Sequence, residues 1–358
     1  MEQLRSVKKL PTADELIARL PLSERGHDLL AEDRAEVRAI LRGEDARLLV
    51  IVGPCSAWPD TAVLEYAARL KELECELDDA LKLVLRVYIQ KPRTTRGWTG
   101  PVNQPDPFAP ADIEAGMVYC RRMMIAAVEM GLAIADEALF THNARGFLEL
   151  LSWVAIGARS SEDQEHRIWA SAIDVPVGMK NPTSGSIPIG VNGVQAAQSA
   201  HVAVFEGHQV ETSGNPLAHL VLRGGADGPN YHLDDLYRAQ REMRERKVSH
   251  PALLIDASHD NCRIQGHKDP HAQEDVVREV LANLRVRPDL RPLVKGFLLE
   301  SFLMDGAQVL ERCTRETIDR GGLSITDPCL SWERTRALLL DVAAQARALR
   351  GDPARGVG

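Results

Sequence analysis

The sequence predicts an α/β protein built as a (β/α)8 TIM barrel, and two patterns support this. Eight short apolar segments recur along the chain, each ending in polar or glycine residues. Most are followed by amphipathic helical patterns, and apolar strands that alternate with helices indicate a parallel sheet buried on both faces. Eight such units in roughly 300 residues favour a closed barrel. An open doubly wound sheet is the alternative, but no dinucleotide-binding fingerprint or Walker loop is present.

The N-terminal region is predicted to be a helical extension. Thr12 and Glu15 fit a capping box in front of "ELIARL". A second helix is expected from about Ser23 to Arg42, with apolar residues on one face and Gly43 as its stop.

The eight predicted strands are carried by "LLVIVGPCS", "KLVLRVYIQK", "LAIADEAL", "WVAIGAR", "VPVGMKN", "HLVLRGG", "ALLIDASH" and "KGFLLES". Helices are predicted for segments such as "TAVLEYAARLKELE", "EAGMVYCRRMMIAAVEM" and "LDDLYRAQREMRE". The extra segment "HVAVFEGHQVETSGN" is expected to form an inserted β-hairpin. We therefore divide the chain into a helical extension for oligomer contacts (1–45), a barrel catalytic domain (46–350) and a flexible tail (351–358).

Composition narrows the class of protein. The 358 residues are 44% hydrophobic and 26% charged, as in globular proteins, and a net charge of -8 argues against nucleic-acid binding. No apolar run reaches the about 18 residues that span a bilayer, and no signal peptide is visible, so no membrane contact is expected. The scattered cysteines favour a reduced, cytoplasmic protein.

Residues that follow the predicted strands are expected to meet, because the carboxyl ends of all barrel strands face one mouth. Many of them are cations, and the segment "RVYIQKPRTTR" alone holds four cations and no acid. Converging cations repel one another unless anions fill the pocket, and arginine matches phosphate and carboxylate oxygens well. We therefore predict a pocket for small molecules with several negative charges. Its cations are Arg86, Lys91, Arg93, Arg159, Lys180 and Arg223.

A second group of strand-end residues suggests a divalent metal. Cys55, His259 and Glu300 follow three of the predicted strands, and "SITDPC" offers Asp327 as a fourth ligand. Thiolate favours softer ions and carboxylate harder ones, so manganese, iron, cobalt and zinc all remain candidates.

Ordered motifs carry a resemblance to a known family. They are "GPCS", "RVY", "KPRTT", "GW", "SWVAIGAR", "PVGMKN", "TSGN", "LRGG", "PNY", "IDASH", "ES" and "SITD". In this order they resemble class I 3-deoxy-D-arabino-heptulosonate 7-phosphate (DAHP) synthases of the microbial feedback-regulated type, from about residue 40 to 350. The resemblance implies condensation of phosphoenolpyruvate with erythrose 4-phosphate in the shikimate pathway of aromatic amino acid biosynthesis. It also implies a homodimer or homotetramer.

The resemblance assigns roles to the strand-end residues. It implies metal ligation by Cys55, His259, Glu300 and Asp327. It implies a phosphoenolpyruvate site made by Arg86, Lys91, Arg159, Lys180 and Arg223, with Gly157 and Ala158 of "IGAR" beside it. It implies a cradle for the aldose at Lys91, Pro92, Arg93 and Thr94, with Arg93 on its phosphate.

Three residues are assigned to catalysis: Lys91, Glu137 and His259. The C3 carbon of phosphoenolpyruvate attacks the aldehyde, and Lys91 is the candidate donor of the proton that the resulting alkoxide needs. Glu137 or a metal-bound water is the candidate for assisting water addition at C2. The metal either polarises the aldehyde or positions a water.

Several loops depart from the family pattern. "GWTG", "DEALF" and "KNPTSG" are unusual, Arg96 adds a cation, and Asp260 in "SHDN" adds an anion beside a metal ligand. The alternatives are a paralogue that uses a different aldose, or a regulatory subunit that partners chorismate mutase. The short hairpin and "FTHNARGF" lead us to expect weak or absent inhibition by aromatic amino acids. Cys329 is expected close to Cys55, where a disulfide could form in metal-free enzyme.

Overall fold

A computed structural model of the chain describes residues 5–93, 97–139, 141–205 and 207–351, with the side chains of residues 141–144 left out. Eight parallel strands close into a barrel in the order β1-β12-β9-β8-β5-β4-β3-β2. In chain order the strands are β1 (Leu48–Gly53), β2 (Leu81–Arg86), β3 (Ala133–Glu137), β4 (Trp153–Ile156), β5 (Val177–Lys180), β6 (Val202–Phe205), β7 (His208–Glu211), β8 (His219–Leu222), β9 (Leu253–Asp256), β10 (Arg263–Ile264), β11 (His267–Lys268) and β12 (Val294–Glu300). The predicted closed barrel is therefore confirmed, and the open sheet is excluded.

Helices alternate with the barrel strands and cover their outer surface. They are α1 (Ala13–Arg19), α2 (Glu24–Arg42), α3 (Asp60–Leu77), α4 (Ile113–Glu129), α5 (Thr141–Leu148), α6 (Gln164–Ala172), α7 (Ile187–Gln198), α8 (Leu233–Glu245), α9 (Ala272–Val286) and α10 (Trp332–Gly351). None of these helices combines the length and hydrophobicity that crossing a bilayer requires.

The two N-terminal helices form where the sequence predicts them. The Thr12 hydroxyl accepts a hydrogen bond from the Glu15 amide at 3.2 Å, and the Glu15 carboxylate accepts one from the Thr12 amide at 2.8 Å, so the capping box is complete. The Ser23 hydroxyl caps the start of α2. The helix ends at Gly43, whose φ of 80° lies in the left-handed region that glycine tolerates.

Alternate side chains of each barrel strand divide the core into two layers. Leu49 and Ile51 of β1 point into the barrel, whereas Val50 and Val52 join the layer between the strands and the helices. Buried residues of α2 join the inner layer, because Val37, Ile40 and Leu41 pack against the inward-facing strand residues. Helix α2 thus closes the barrel at the amino ends of its strands, which leaves the carboxyl ends open.

Two antiparallel hairpins extend from the barrel. The predicted insertion forms β6 and β7, which pair from Val202↔Glu211 to Phe205↔His208. A second, shorter hairpin, β10–β11, follows the seventh barrel strand, with Arg263 opposite Lys268. No pattern in the sequence predicted this second hairpin. The expected oligomer contacts of residues 1–45 stay a prediction, and residues 352–358 of the tail lie outside the described residues.

Candidate functional site

A polar cavity of 240 Å³ lies at the carboxyl ends of the barrel strands. Many residues that the sequence assigned to substrate or metal line it, together with Lys268 and Thr326. The lining residues are Lys91, Pro92, Arg93, Glu137, Ala158, Arg159, Lys180, Arg223, His259, Lys268, Thr326 and Asp327. The predicted convergence of cations is therefore observed for five of the six, and the remaining one, Arg86, lies beneath the cavity.

Arg86 is buried below the cavity, where it holds a carboxylate. Its guanidinium lies 2.9 Å from Oε1 of Glu300 and stacks over the ring of Tyr88, with its carbon 3.7 Å from the ring centroid. It also donates to the carbonyl oxygen of Pro54. Arg86 therefore positions Glu300 and contributes positive charge from below, rather than lining the cavity itself.

Two cations of the cavity wall are paired with aspartates. The Lys180 ammonium lies 3.0 Å from Oδ2 of Asp256, which is the last residue of β9. The Arg223 guanidinium donates to Asp260, and Asp260 also accepts from Arg263 of the β10–β11 hairpin. The departure that the sequence showed at Asp260 thus places an anion directly on a predicted substrate-binding arginine.

Three of the four predicted metal ligands meet at one point. Donor atoms of Cys55, Glu300 and Asp327 all lie within 4.8 Å of one another. The fourth residue, His259, places Nε2 3.8 Å from Oε1 of Glu300. That oxygen is buried and accepts no hydrogen bond from any described residue, and its contact with Arg86 at 2.9 Å is an ion pair. Thiol, imidazole and carboxylate donors around an unsatisfied oxygen fit a divalent cation.

The other nitrogen of His259 orients the ring. Nδ1 lies 2.9 Å from Oδ2 of Asp256 and 2.7 Å from the hydroxyl of Ser258. A carboxylate behind an imidazole fixes the ring and leaves its second nitrogen to bind a metal. Burial lowers the pKa of His259, which favours the neutral ring that ligation requires. Its backbone has φ of 58°, a conformation uncommon for a residue other than glycine.

Lys91 connects the substrate cations with the metal donors. Its ammonium lies 2.8 Å from the carbonyl oxygen and 3.1 Å from the sulfur of Cys55. Burial, followed by the charge of Glu300, raises the pKa of the Cys55 thiol, and the charge of Lys91 opposes this rise. The thiol therefore keeps its proton at neutral pH until a cation replaces it.

Gly157 makes room for Glu137. A Cβ atom on Gly157 would lie 2.2 Å from Oε1 of Glu137, so a larger residue there would displace that carboxylate. This places Glu137 in the cavity wall next to Ala158 and Arg159. Gly157, which the sequence assigned to substrate binding, therefore acts here by leaving space.

Sequence reasoning missed two charged residues of this site. Asp256 contacts both Lys180 and His259, and its position at a strand end is a signal that would have found it. Lys268 pairs with Asp327 across the cavity, and no strand-end pattern marks it because it arrives on the β10–β11 hairpin. The predicted substrate residue Thr94 and the extra cation Arg96 lie outside the described residues.

Comparisons with known proteins agree on one family. A sequence profile of the DAHP synthetase I family matches residues 24–340. The chain is 40% identical over 338 residues to the Tyr-sensitive phospho-2-dehydro-3-deoxyheptonate aldolase of Escherichia coli, covering 93% of this chain and 92% of the relative. It is 36% identical over 343 residues to the Trp-sensitive enzyme of that organism, covering 94% and 95%.

A solved structure matches over almost the whole chain. It is the phospho-2-dehydro-3-deoxyheptonate aldolase of Francisella tularensis, which superposes with a TM-score of 0.90 at 31% identity. The match covers 98% of this chain and 100% of the other, so both share the barrel and its additions.

Proposed function

This chain belongs to the DAHP synthetase I family and is an enzyme, and we propose that it condenses phosphoenolpyruvate with erythrose 4-phosphate. The products are 3-deoxy-D-arabino-heptulosonate 7-phosphate and inorganic phosphate, in the first step of the shikimate pathway. One observation carries the proposal: Lys91 lies between the cations of the cavity wall and a cluster of candidate metal donors. The two anionic substrates need the cations, and the aldehyde group of the sugar phosphate needs the metal.

Cations of the cavity hold and orient the substrates. Phosphoenolpyruvate carries a carboxylate and a phosphate, which match Arg159, Lys180 and Arg223 along one wall. The aldose carries its own phosphate, which matches Arg93 beside Lys91. Holding both substrates in one small cavity turns the bimolecular reaction into an effectively unimolecular one.

Carbon–carbon bond formation leaves a negative charge on the former aldehyde oxygen, which then needs a proton. The C3 carbon of phosphoenolpyruvate forms a bond to the aldehyde carbon, and the aldehyde oxygen gains the electron pair. Lys91, whose ammonium lies at the junction of the two substrate regions, donates a proton to that oxygen. Water then adds at C2, where Glu137 accepts a proton, and the C–O bond to phosphate breaks so that inorganic phosphate leaves.

A divalent metal completes this site. Cys55, His259, Glu300 and Asp327 would hold it, and when bound it supplies Lewis-acid polarisation of the aldehyde or orientation of a water. Arg86 holds Glu300, and Asp256 holds His259, so that both ligands keep their directions. Manganese, iron, cobalt and zinc are all compatible with this mixed donor set.

Phosphate release tests the proposal. Protein stripped with a chelator and then supplied with manganese(II) is expected to release phosphate from phosphoenolpyruvate only when erythrose 4-phosphate is added. Release without the aldose, or no metal dependence after complete stripping, would contradict it. If phosphoenolpyruvate binds but erythrose 4-phosphate gives no turnover, the alternative of a paralogue that uses a different aldose gains support. A panel of sugar phosphates then identifies that aldose.

A further inference from the structure

A second cavity lies at the opposite end of the barrel from the proposed active site. It has a volume of 310 Å³, at the lower end of the range of small-molecule pockets. Strands β1 and β12 begin at this cavity and end at the metal donors. Its lining residues are Gly43, Asp45, Ala46, Arg47, Leu48, Leu284, Arg291, Pro292, Val294, Lys295, Ala346, Leu349 and Arg350.

A β-bulge gives Lys295 its place in the cavity wall. Val294 pairs with Leu253 and Gly296 with Leu254, so Lys295 is an extra residue in the ladder between β12 and β9. Such bulges redirect a side chain. Gly296 fixes the backbone here, because its φ is 152° and a Cβ atom would lie 1.8 Å from the carbonyl oxygen of Leu49.

The Lys295 side chain is a buried cation that lacks a counter-ion. It is 9% exposed, and within the described part of the chain it forms no hydrogen bond or ion pair. Burial lowers the pKa of its amine. Its Nζ lies near Gly43, at the end of α2, where a Cβ atom would be 3.2 Å away. Burying a charge without a counter-charge is costly, so an anion in the cavity would be held strongly.

Neighbouring charges in the cavity wall already have partners. Arg47 pairs with Asp45 and Glu36, and Arg350 donates to the carbonyl oxygen of Asp79. Arg291 donates to main-chain carbonyl oxygens, including that of Leu349 at 3.1 Å. Asp45 is the single acid among the lining residues. Among the described residues of the wall, Lys295 is therefore a cation with neither a hydrogen bond nor an acidic partner, and no acid is left free for a ligand.

The remaining wall is apolar, so the part of the ligand that does not contact Lys295 should be apolar as well. Leu48, Leu284, Val294, Ala346 and Leu349 contribute aliphatic surface around Lys295. We propose that this cavity binds a small organic carboxylate with an apolar body the size of one ring, its carboxylate on Lys295. A ligand that also carries an ammonium group is disfavoured, because the described lining residues include no free acid to receive it. This inference is independent of the proposed catalytic function.

A pair of probes that differ only in an ammonium group tests the proposal. Binding of 3-phenylpropanoate and of phenylalanine to the full-length chain is measured by calorimetry, with saturating phosphoenolpyruvate present to occupy the catalytic cavity. We expect a Kd of about 1 mM or tighter for 3-phenylpropanoate, as for other ligands of this size. Phenylalanine is expected to bind at least about tenfold more weakly, since its ammonium stays unpaired.

Variants of Lys295 and of the cavity wall test whether the ligand binds at this place. Lys295→Met keeps the length of the side chain and removes the charge, and it is expected to weaken 3-phenylpropanoate binding at least about tenfold. Lys9→Met, at an exposed lysine of the N-terminal segment, is the matched control and should bind like the unmodified chain. Ala346→Leu fills the cavity while keeping Lys295, so it provides a second route if Lys295→Met does not fold.

Three results would overturn the proposal. They are equal binding to Lys295→Met and the unmodified chain, equal binding of phenylalanine and 3-phenylpropanoate, and no binding of 3-phenylpropanoate at about ten times the expected Kd. In the last case Lys295 is a structural cation that interacts with the negative end of α2.

Discussion

The ammonium of Lys91 lies 3.1 Å from the sulfur of Cys55, so a residue of the predicted sugar cradle touches a predicted metal ligand. The chain brings them together because Cys55 follows β1 and Lys91 follows β2, and these strands are neighbours in the barrel. The proposed proton donor is thereby in direct contact with a proposed metal ligand.

Replacing Lys91 by Met removes the proposed proton donor and keeps the side chain's apolar length. We predict a loss of at least about 100-fold in kcat, which is the usual contribution of a positioned general acid. Phosphate release measures it, with Lys9→Met as the control at an exposed lysine. A Lys91→Met enzyme with near-normal turnover would exclude Lys91 as the donor.

We expect Asp260 to compete with the proposed substrate phosphoenolpyruvate for Arg223. Its carboxylate accepts from Arg223 and Arg263, so a substrate anion binding Arg223 would have to displace it. Asp260→Ala is therefore expected to lower KM for phosphoenolpyruvate several-fold. Asp174→Ala, at an exposed aspartate far along the chain, serves as the control. A higher KM in Asp260→Ala would mean that Asp260 instead holds Arg223 in its binding position.

Asp136 is expected to make the free energy of unfolding decrease as pH rises. Its Oδ1 accepts from the Ile89 amide at 3.1 Å, and burial is the main reason that its pKa is raised to about 7. The folded state therefore keeps a proton that the unfolded state has already lost, and stability falls as pH rises from about 4 to 7. Asp136 thereby accounts for a loss of up to about 4 kcal/mol in the free energy of unfolding over this pH range, and we expect Asp136→Asn to abolish that loss.

Urea unfolding at several pH values checks the prediction for Asp136. Asn at position 136 retains an oxygen for the Ile89 amide, so the comparison isolates the ionisation. If the two proteins lose stability in parallel between pH 4 and 7, another group causes the decrease.

Cys55 and Cys329 are free cysteines whose main chain and sulfur meet, since the Cys55 amide lies 3.4 Å from the sulfur of Cys329. Burial raises the pKa of both thiols, so both are protonated at neutral pH and oxidise slowly. We predict that metal-stripped protein in air at alkaline pH forms a Cys55–Cys329 disulfide and loses activity. Non-reducing peptide mapping detects it, and Cys329→Ser should prevent it. Recovery of both residues as thiols would refute it.

Feedback inhibition is expected to be weak. The relatives include Tyr-sensitive and Trp-sensitive enzymes, whereas the hairpin of this chain is short and "FTHNARGF" is unusual. Phe140 of that segment lies outside the described residues. We predict no inhibition by micromolar phenylalanine, tyrosine or tryptophan in the phosphate-release assay. Half-inhibition by any one of them in that range would contradict this.

The sequence by itself determined which segments form strands and helices, and at which end of the barrel the polar residues meet. Eight apolar strands have to be buried on both faces, and polar residues after parallel strands have to meet at one end. Local chemistry likewise determined the first two helices, since a Thr12 cap, a Ser23 cap and a Gly43 stop act within a few residues.

Tertiary structure alone decided which charged groups pair. Arg86 was expected to face a substrate but holds Glu300, and Lys268 reaches Asp327 on a hairpin that carries no strand-end signal. The bulge that directs Lys295 into a cavity depends on the register between β12 and β9. Periodicity and capping act over a few residues, whereas these contacts join side chains tens to hundreds of residues apart. Strand register and backbone turns therefore decide them.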